Sequence, residues 1–323
     1  MQFWSMGKWQ DIDKQTIKET RARIDHMVHW TPLLRSSAIN KLAGCQVFFK
    51  CENFQKVGAF KARGAANAVL NLSATDRKNG VATHSSGNHA AALARAAAEA
   101  GIPAYIVMPS TAPEIKKQAV REYGGQIFEC APSLQAREDR LKALVKSYQA
   151  SFIPPYDHCD VIEGQATCAF EMFEEGLSLD VLMAPVGGGG LLSGTALASQ
   201  FYSPETAVIG AEPEGADDAK RSFKAGKRIP MENPDTIADG LLTSLGEINF
   251  EIISQHVADI LTANDEEIIA AMKLIYERMK IVIEPSCAVP LAVLLKNKSL
   301  FQGKEVGIIL SGGNVDLSKL PFG

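Results

Sequence analysis

The chain has 323 residues, of which 46% are hydrophobic and 22% charged, with a formal net charge of −4 at pH 7. That length exceeds one compact core and predicts two domains. The mild negative charge offers no basic footprint for nucleic acid or an anionic membrane, and no apolar run reaches the ~20 residues that span a bilayer.

Met1 to Gln10 has no basic stretch followed by an apolar core, so no secretory signal is expected there. The six cysteines, Cys45, Cys51, Cys130, Cys159, Cys168 and Cys287, are scattered without metal-ligand spacing. They predict reduced, mostly buried thiols in a cytosolic protein, and six equally dispersed histidines argue against a zinc site.

Residues 10–27 read as one polar amphipathic helix, ended by the extended Thr31–Pro32 step. An apolar strand, Gln46–Phe49, runs into a glycine-containing turn, after which Lys61 opens a helical run. Gly80–Thr83 leads into an alanine-rich helix from about Asn88 to Ala100, closed by Gly101. Strands at Ala104–Met108 and Gln126–Phe128 alternate with helices from Pro113 to about Tyr123 and from about Leu134 to Ser147. Pro154–Pro155 breaks that run. Beyond it come a helix over Val161–Glu175 and strands at Val181–Ala184, Val208–Ala211 and Val306–Leu310, with a helix over Glu266–Met279 before the last strand. The alternation predicts an α/β fold of two open, mostly parallel twisted sheets covered by helices. Residues 1–75 and 156–323 are expected to form a large domain, with 76–155 a small domain nested in it.

Three segments carry chemistry. Lys61, backed by Phe60, sits where an amine can be desolvated and held as a Schiff base, although taken alone it reads as a surface lysine. Gly187, Gly188, Gly189 and Gly190 lie between a strand and a helix from near Leu191, where successive backbone N–H groups can converge on a phosphate. Gly188, Gly190 and Ser193 also approximate a dinucleotide fingerprint, and Glu212 ends the next strand where a ribose-binding acid would stand. A dinucleotide-dependent oxidoreductase therefore stays open at this point. Ser85-Ser86-Gly87-Asn88-His89 follows a strand end and offers a pocket for a small carboxylate, or else caps the helix through Ser86 or Asn88.

An amine, a phosphate cradle and a carboxylate pocket together describe a pyridoxal phosphate enzyme. Lys50 to Ala65, reading Lys-Cys-Glu-x-x-Gln-Lys-x-Gly-x-Phe-Lys-x-Arg-Gly-Ala, resembles the cofactor-lysine segment of the fold type II pyridoxal phosphate enzymes. Thr83–His89, Pro185–Gly194, Thr236–Gly240 and Leu310–Leu317 match that family in order, and over nearly the whole chain the similarity is to its serine racemase and serine/threonine dehydratase members. Ala59 departs from the pattern, which commonly has serine before Phe-Lys.

The resemblance implies pyridoxal 5'-phosphate as cofactor, held by Lys61, flanked by Phe60, bonded at its 3-hydroxyl by Asn88, at its phosphate by Gly187–Gly190 and at its ring nitrogen by Ser311. A neutral hydroxyl at that nitrogen makes a weaker electron sink, which suits elimination of water. Ser86 would face the substrate opposite Lys61, supplying the second acid/base group that racemisation requires. Ser85, Asn88, His89, Arg137 and Thr243 would complete substrate recognition, with Arg137 reading equally as part of a solvated helix face. In the acidic loop, Glu212, the Ala216 carbonyl and Asp218 would hold a divalent cation, Mg, Mn or Ca, where the bare residues read as a solvated loop.

The implied enzyme is a cytoplasmic homodimer that interconverts L- and D-serine and eliminates water to give pyruvate and ammonia. The alternative is a dehydratase for L-threonine, L-serine or 3-hydroxyaspartate with little racemisation.

Overall fold

The structure, a computed structural model, describes residues 8–322. Most of the stretch read as lacking a secretory signal thus lies outside the described residues.

Among the described residues ten strands run in chain order: β1 (Leu33–Leu34), β2 (Gln46–Cys51), β3 (Val81–His84), β4 (Ala104–Pro109), β5 (Gln126–Cys130), β6 (Ser151–Phe152), β7 (Val181–Pro185), β8 (Ala207–Pro213), β9 (Asp259–Ala263) and β10 (Glu305–Leu310). The helices of the first half are α1 (Lys14–Ile24), α2 (Ser37–Ala43), α3 (Lys61–Leu70), α4 (Ala74–Asn79), α5 (Asn88–Glu99), α6 (Glu114–Glu122) and α7 (Leu134–Tyr148). Those of the second half are α8 (Cys159–Glu174), α9 (Gly190–Tyr202), α10 (Asp218–Ala225), α11 (Glu247–His256), α12 (Asp265–Met279), α13 (Pro285–Lys296) and α14 (Lys298–Phe301).

These strands form a six-stranded sheet in the order β1-β2-β10-β7-β8-β9 and a four-stranded sheet in the order β5-β4-β3-β6. All pairings are parallel except β1 with β2, which is antiparallel. The last strand, β10, sits between β2 and β7, with Val306 opposite both Val47 and Val181. Its residues from Val306 to Leu310 are buried, as befits a strand with helices on both faces. Among the described residues no helix is long and apolar enough to cross a membrane. Five of the six cysteines are buried and Cys130 is half-buried.

The long helix expected over 10–27 is shorter. Asp13 accepts a hydrogen bond from Thr16 N at 2.8 Å and starts α1 at Lys14, while single 3-10 turns at Trp9–Asp11 and Asp25–Met27 flank it.

Helix α8 is the post to which the site's two main pieces are fastened. A Cβ on Gly164 of α8 would lie 2.6 Å from Gly64 Cα of α3, so these helices touch backbone to backbone. A Cβ on Gly194 of α9 would lie 2.6 Å from Ala166 N, so α9 approaches α8 just as closely.

A buried charge cluster completes the joint. Arg63 donates to both Glu52 oxygens at 2.7 and 2.8 Å and to both Glu171 oxygens at 2.7 and 2.8 Å. Lys50 lies 2.6 Å from Glu171, and Arg21 Nε donates to Glu171 at 2.6 Å. Arg63, Glu52, Lys50 and Glu171 are all 0% exposed, so each charge relies on its partners instead of water. Burial alone would raise the Glu171 carboxyl, but Arg63 and Lys50 hold it below the ordinary carboxylate range.

Removing one partner strands a buried charge, which typically costs about 3–5 kcal/mol. Glu171→Gln is therefore expected to lower the unfolding free energy by about that amount in a denaturant titration, while Glu114→Gln, at the exposed pair with Arg121, leaves it unchanged. Equal, small effects would show that the buried cluster does not hold the joint.

Candidate active site

Strand β7 delivers the chain to Gly187–Gly190, all four buried, and α9 begins at the last of them. Gly189 is its N-cap, with φ of +95°, and no side chain caps the helix. The first N–H groups of α9 are thus bare donors at the positive end of a helix dipole. Larger residues are excluded. A Cβ on Gly188 would lie 2.2 Å from the Tyr156 ring, and one on Gly187 would lie 3.0 Å from Leu241 Cα.

Lys61 is the first residue of α3. Its Nζ donates to Pro155 O at 2.6 Å and lies 4.9 Å from the Phe60 ring centre and 6.0 Å from that of Tyr156. Burial lowers its pKa from the usual lysine value to about 8, with the Glu284 carboxylate pulling weakly the other way. The segment before it is clipped to the end of β10: Phe60 N donates to Ser311 O at 3.0 Å, and Ala59 pairs with Gly312 in an isolated antiparallel bridge. Val57, a β-branched residue at φ 56°, takes a left-handed conformation that costs energy, and Asn314 Nδ2 holds its carbonyl at 2.7 Å.

The Ser85–His89 stretch joins β3 to α5. Gly87 is the N-cap and no side chain caps the helix, so neither Ser86 nor Asn88 takes the capping role open to it in sequence. Ser85 Oγ accepts from Gly87 N at 3.3 Å, and Ser86 is half-buried. Asn88 donates through Nδ2 to both oxygens of Glu284 at 3.1 Å and accepts from Asn314 Nδ2 at 3.0 Å. Glu284 is 5% exposed, and burial raises its carboxyl to about 7, against the lowering effect of the Asn88 bond.

His89 Nε2 lies 3.0 Å from Ile153 O, an acceptor, so Nε2 carries the proton. Its Nδ1 is then a buried lone pair with no partner. Burial, with help from the Lys61 charge, lowers this imidazole to about 3, so it stays neutral.

Several of the residues expected from sequence share one site. Tyr156 ties Lys61 to the glycine loop, Glu284 ties Asn88 to the Ser311–Gly312 turn, and a Cβ on Gly312 would lie 2.7 Å from a Glu284 oxygen. Thr243 enters through its Oγ1, 2.8 Å from the Tyr156 hydroxyl. Arg137 stands at the first turn of α7, half-buried, its Nε donating to Ser133 O at 3.4 Å, and no carboxylate pairs with it among the described residues. Glu284 and Tyr156 escape sequence reasoning. The signal available for Glu284 was an acid directly before Pro285, where a proline opens a helix.

The acidic loop looks different from either sequence reading. Glu212 is 0% exposed and its two oxygens accept from Ala219 N and Lys220 N at 2.9 Å, at the start of α10, so it does not present itself to a ribose. Asp218 accepts from Leu245 N at 2.8 Å through one oxygen, and its other oxygen is buried without a partner. Ala216 is buried in the turn Glu214–Ala216. Among the described residues no group of three His, Cys, Asp or Glu side chains is placed to hold a metal.

In the protein without bound ligand, NMR of isotopically methylated lysines is expected to find one amine, lost in Lys61→Ala, that titrates near 8. A Lys61 midpoint above the ~10.4 of free lysine would contradict the burial argument.

Residues 24–312 match the family described as "Pyridoxal-phosphate dependent enzyme". A β-hydroxyaspartate dehydratase of Paracoccus denitrificans is 53% identical over 300 residues, covering 93% of this chain and 95% of that protein. A serine racemase of Dictyostelium discoideum is 46% identical over 314 residues, covering 96% and 97%. The crystal structure of serine racemase from Dictyostelium discoideum superposes with a TM-score of 0.91 at 45% identity, covering 95% of this chain and 99% of that one. With the lysine, the glycine cradle and the asparagine linked through Tyr156 and Glu284 and these likenesses running nearly end to end, the chain belongs to the pyridoxal-phosphate dependent enzymes, in their fold type II branch.

Proposed function

We propose that this chain is a serine racemase that also eliminates water from serine to give pyruvate and ammonia. The observation that carries the reading is Lys61, an amine lowered to about 8, beside a glycine cradle whose bare N–H groups no side chain caps. These residues fit the cofactor: the cradle suits a phosphate, an amine lowered to about 8 suits an aldehyde, and Asn88 and the buried Ser311 are polar groups joined through Glu284 and the Gly312 turn. Gly187–Gly190 would hold the phosphate, Asn88 the 3-hydroxyl, Ser311 the ring nitrogen, and Phe60 would flank the ring. When bound, pyridoxal phosphate supplies a sink for the electrons left at the substrate Cα.

The remaining work falls to the protein. Lys61 carries the Cα proton on one face, and its lowered pKa keeps a useful fraction of the amine unprotonated near neutral pH. Ser86 carries the proton on the other. Ser85 and the Asn88 amide receive the substrate carboxylate as donors, while the neutral His89, whose free Nδ1 is an acceptor, takes a hydrogen bond from a substrate N–H or O–H. Thr243, held by Tyr156, and Arg137 border the substrate side chain. The reading includes a small domain of residues 76–155 nested in a large one of residues 1–75 and 156–323, assembled as a cytoplasmic homodimer.

A second substrate has a specific observation in its favour. The Arg137 guanidinium lacks a carboxylate partner among the described residues, and the relative at 53% identity is a β-hydroxyaspartate dehydratase, so 3-hydroxyaspartate is the rival to serine.

A divalent cation is proposed at Asp218, whose unpartnered buried oxygen asks for a ligand, with Glu212 and the Ala216 carbonyl beside it as a structural site.

Chiral analysis of the products from L-serine and 3-hydroxyaspartate tests the main reading, which requires D-serine and pyruvate from L-serine. Ser86→Ala should cut D-serine formation and D-serine deamination by about 10²-fold or more while L-serine still yields pyruvate. Equal losses in both would remove Ser86 from proton transfer. Magnesium or calcium should raise the melting temperature, with Asp218→Ala abolishing the shift. No shift at saturating metal would rule the cation site out.

A further inference from the structure

The two sheets meet around the site in two chemically different ways. On one side, Ala62, Ala66 and Val69 of α3 share a single buried core with Ala90, Leu93 and Ala97 of α5. Such an apolar joint is non-directional and tolerates small rotations. Across the cleft the connections are polar and directional. Asn88 meets Glu284 and Asn314 at its floor, and at its rim Lys116 Nζ reaches Asp239 Oδ2 at 3.0 Å.

The two partners of that rim pair stand on elements that matter. Lys116 lies on α6, which packs on α5 and β5 of the four-stranded sheet. Asp239 lies in the 3-10 turn Asp239–Leu241, which walls the glycine loop. A Cβ on Gly187 would be 3.0 Å from Leu241 Cα and 3.4 Å from Gly240 O, and Gly240 N donates to Ser286 Oγ at 3.0 Å, two residues beyond Glu284. Neither Lys116 nor Asp239 has another ion partner among the described residues. Both also act on the Glu284 carboxyl, Asp239 raising and Lys116 lowering its pKa, which places the pair within electrostatic reach of the cleft floor.

We propose that Lys116 and Asp239 are a pair of positioning residues, an ionic latch across the mouth of the site that holds the two sheets in their substrate-bearing arrangement. It rests on the reading of the chain as two bodies around an amino-acid site. Their side chains are 38% and 54% exposed, so the pair is screened and exchanges with water. That makes it a bias toward closure and not a lock: removing it shifts the balance about two- to fivefold, while the apolar joint keeps the bodies connected. The latch is also reciprocal. Pulling Asp239 toward α6 draws on the turn that supports the glycine loop, so closure and cradle geometry are linked.

The test uses the holoenzyme with Lys116→Glu, Asp239→Lys and the double swap. In Lys116→Glu, hydrogen exchange over residues 114–122 and 239–241 is expected to rise several-fold at low salt, with KM raised about fivefold, kcat within about twofold and the melting temperature unchanged. The double swap restores both exchange and KM, and 0.5 M salt erases the difference between wild type and Lys116→Glu, as screening requires. Unchanged exchange in Lys116→Glu, or a double swap no better than the single variants, overturns the latch. If serine is not turned over at all, the proposed function fails, and the exchange arms still decide the latch.

Discussion

Everything at the site depends on one contact between helices. Arg63, two residues beyond Lys61, is gripped by Glu52 from the end of β2 and by Glu171 from α8, with no water to share the load. The backbones of α3 and α8 touch at Gly64 and Gly164, and α9 docks on the same post through Gly194. The first turn of α3 carries the amine and the first turn of α9 carries the bare N–H groups. Fixing both helices to α8 therefore sets the distance between amine and cradle. Fully paired ions serve this purpose because their geometry is directional, whereas an apolar contact would allow the helix to slide.

The same exclusion of water sets the site's electrical character. Lys61 is brought to about 8, His89 to about 3 and Glu284 to about 7, each pushed toward its neutral form. The three shifts differ in direction by charge type but share one cause, burial. The result is a pocket in which Lys61 and Glu284 change protonation close to neutral pH and His89 stays neutral, beside the fixed polarity of the helix N-termini at α5 and α9 and of oriented amides. Such a pocket suits an anionic, carbonyl-bearing ligand and small zwitterionic molecules.

Much of this was legible in the sequence because it is local. Four consecutive glycines after an apolar strand, a lysine behind Phe60 and the Ser-Ser-Gly-Asn-His turn each announce themselves within a few residues. What was hidden is non-local. Glu284 comes from the start of α13, 196 residues from the asparagine it holds, and Tyr156 reaches Thr243 across 87 residues. Helix α13 itself escaped notice because Pro290 lies inside it, and β1 and β6 are two-residue strands with no periodicity to read. In the acidic loop, charge alone does not reveal that Glu212 is fully buried and accepts from two backbone N–H groups at the start of α10.

The central claim is that the Lys61 nitrogen is where pyridoxal phosphate attaches. Reduction of the purified holoenzyme with borohydride, followed by peptide mass spectrometry, tests it most directly. The pyridoxyl phosphate mass is expected on the peptide carrying Lys61 and on no other. A modified peptide that lacks Lys61, or a cofactor that washes away unreduced, would contradict it.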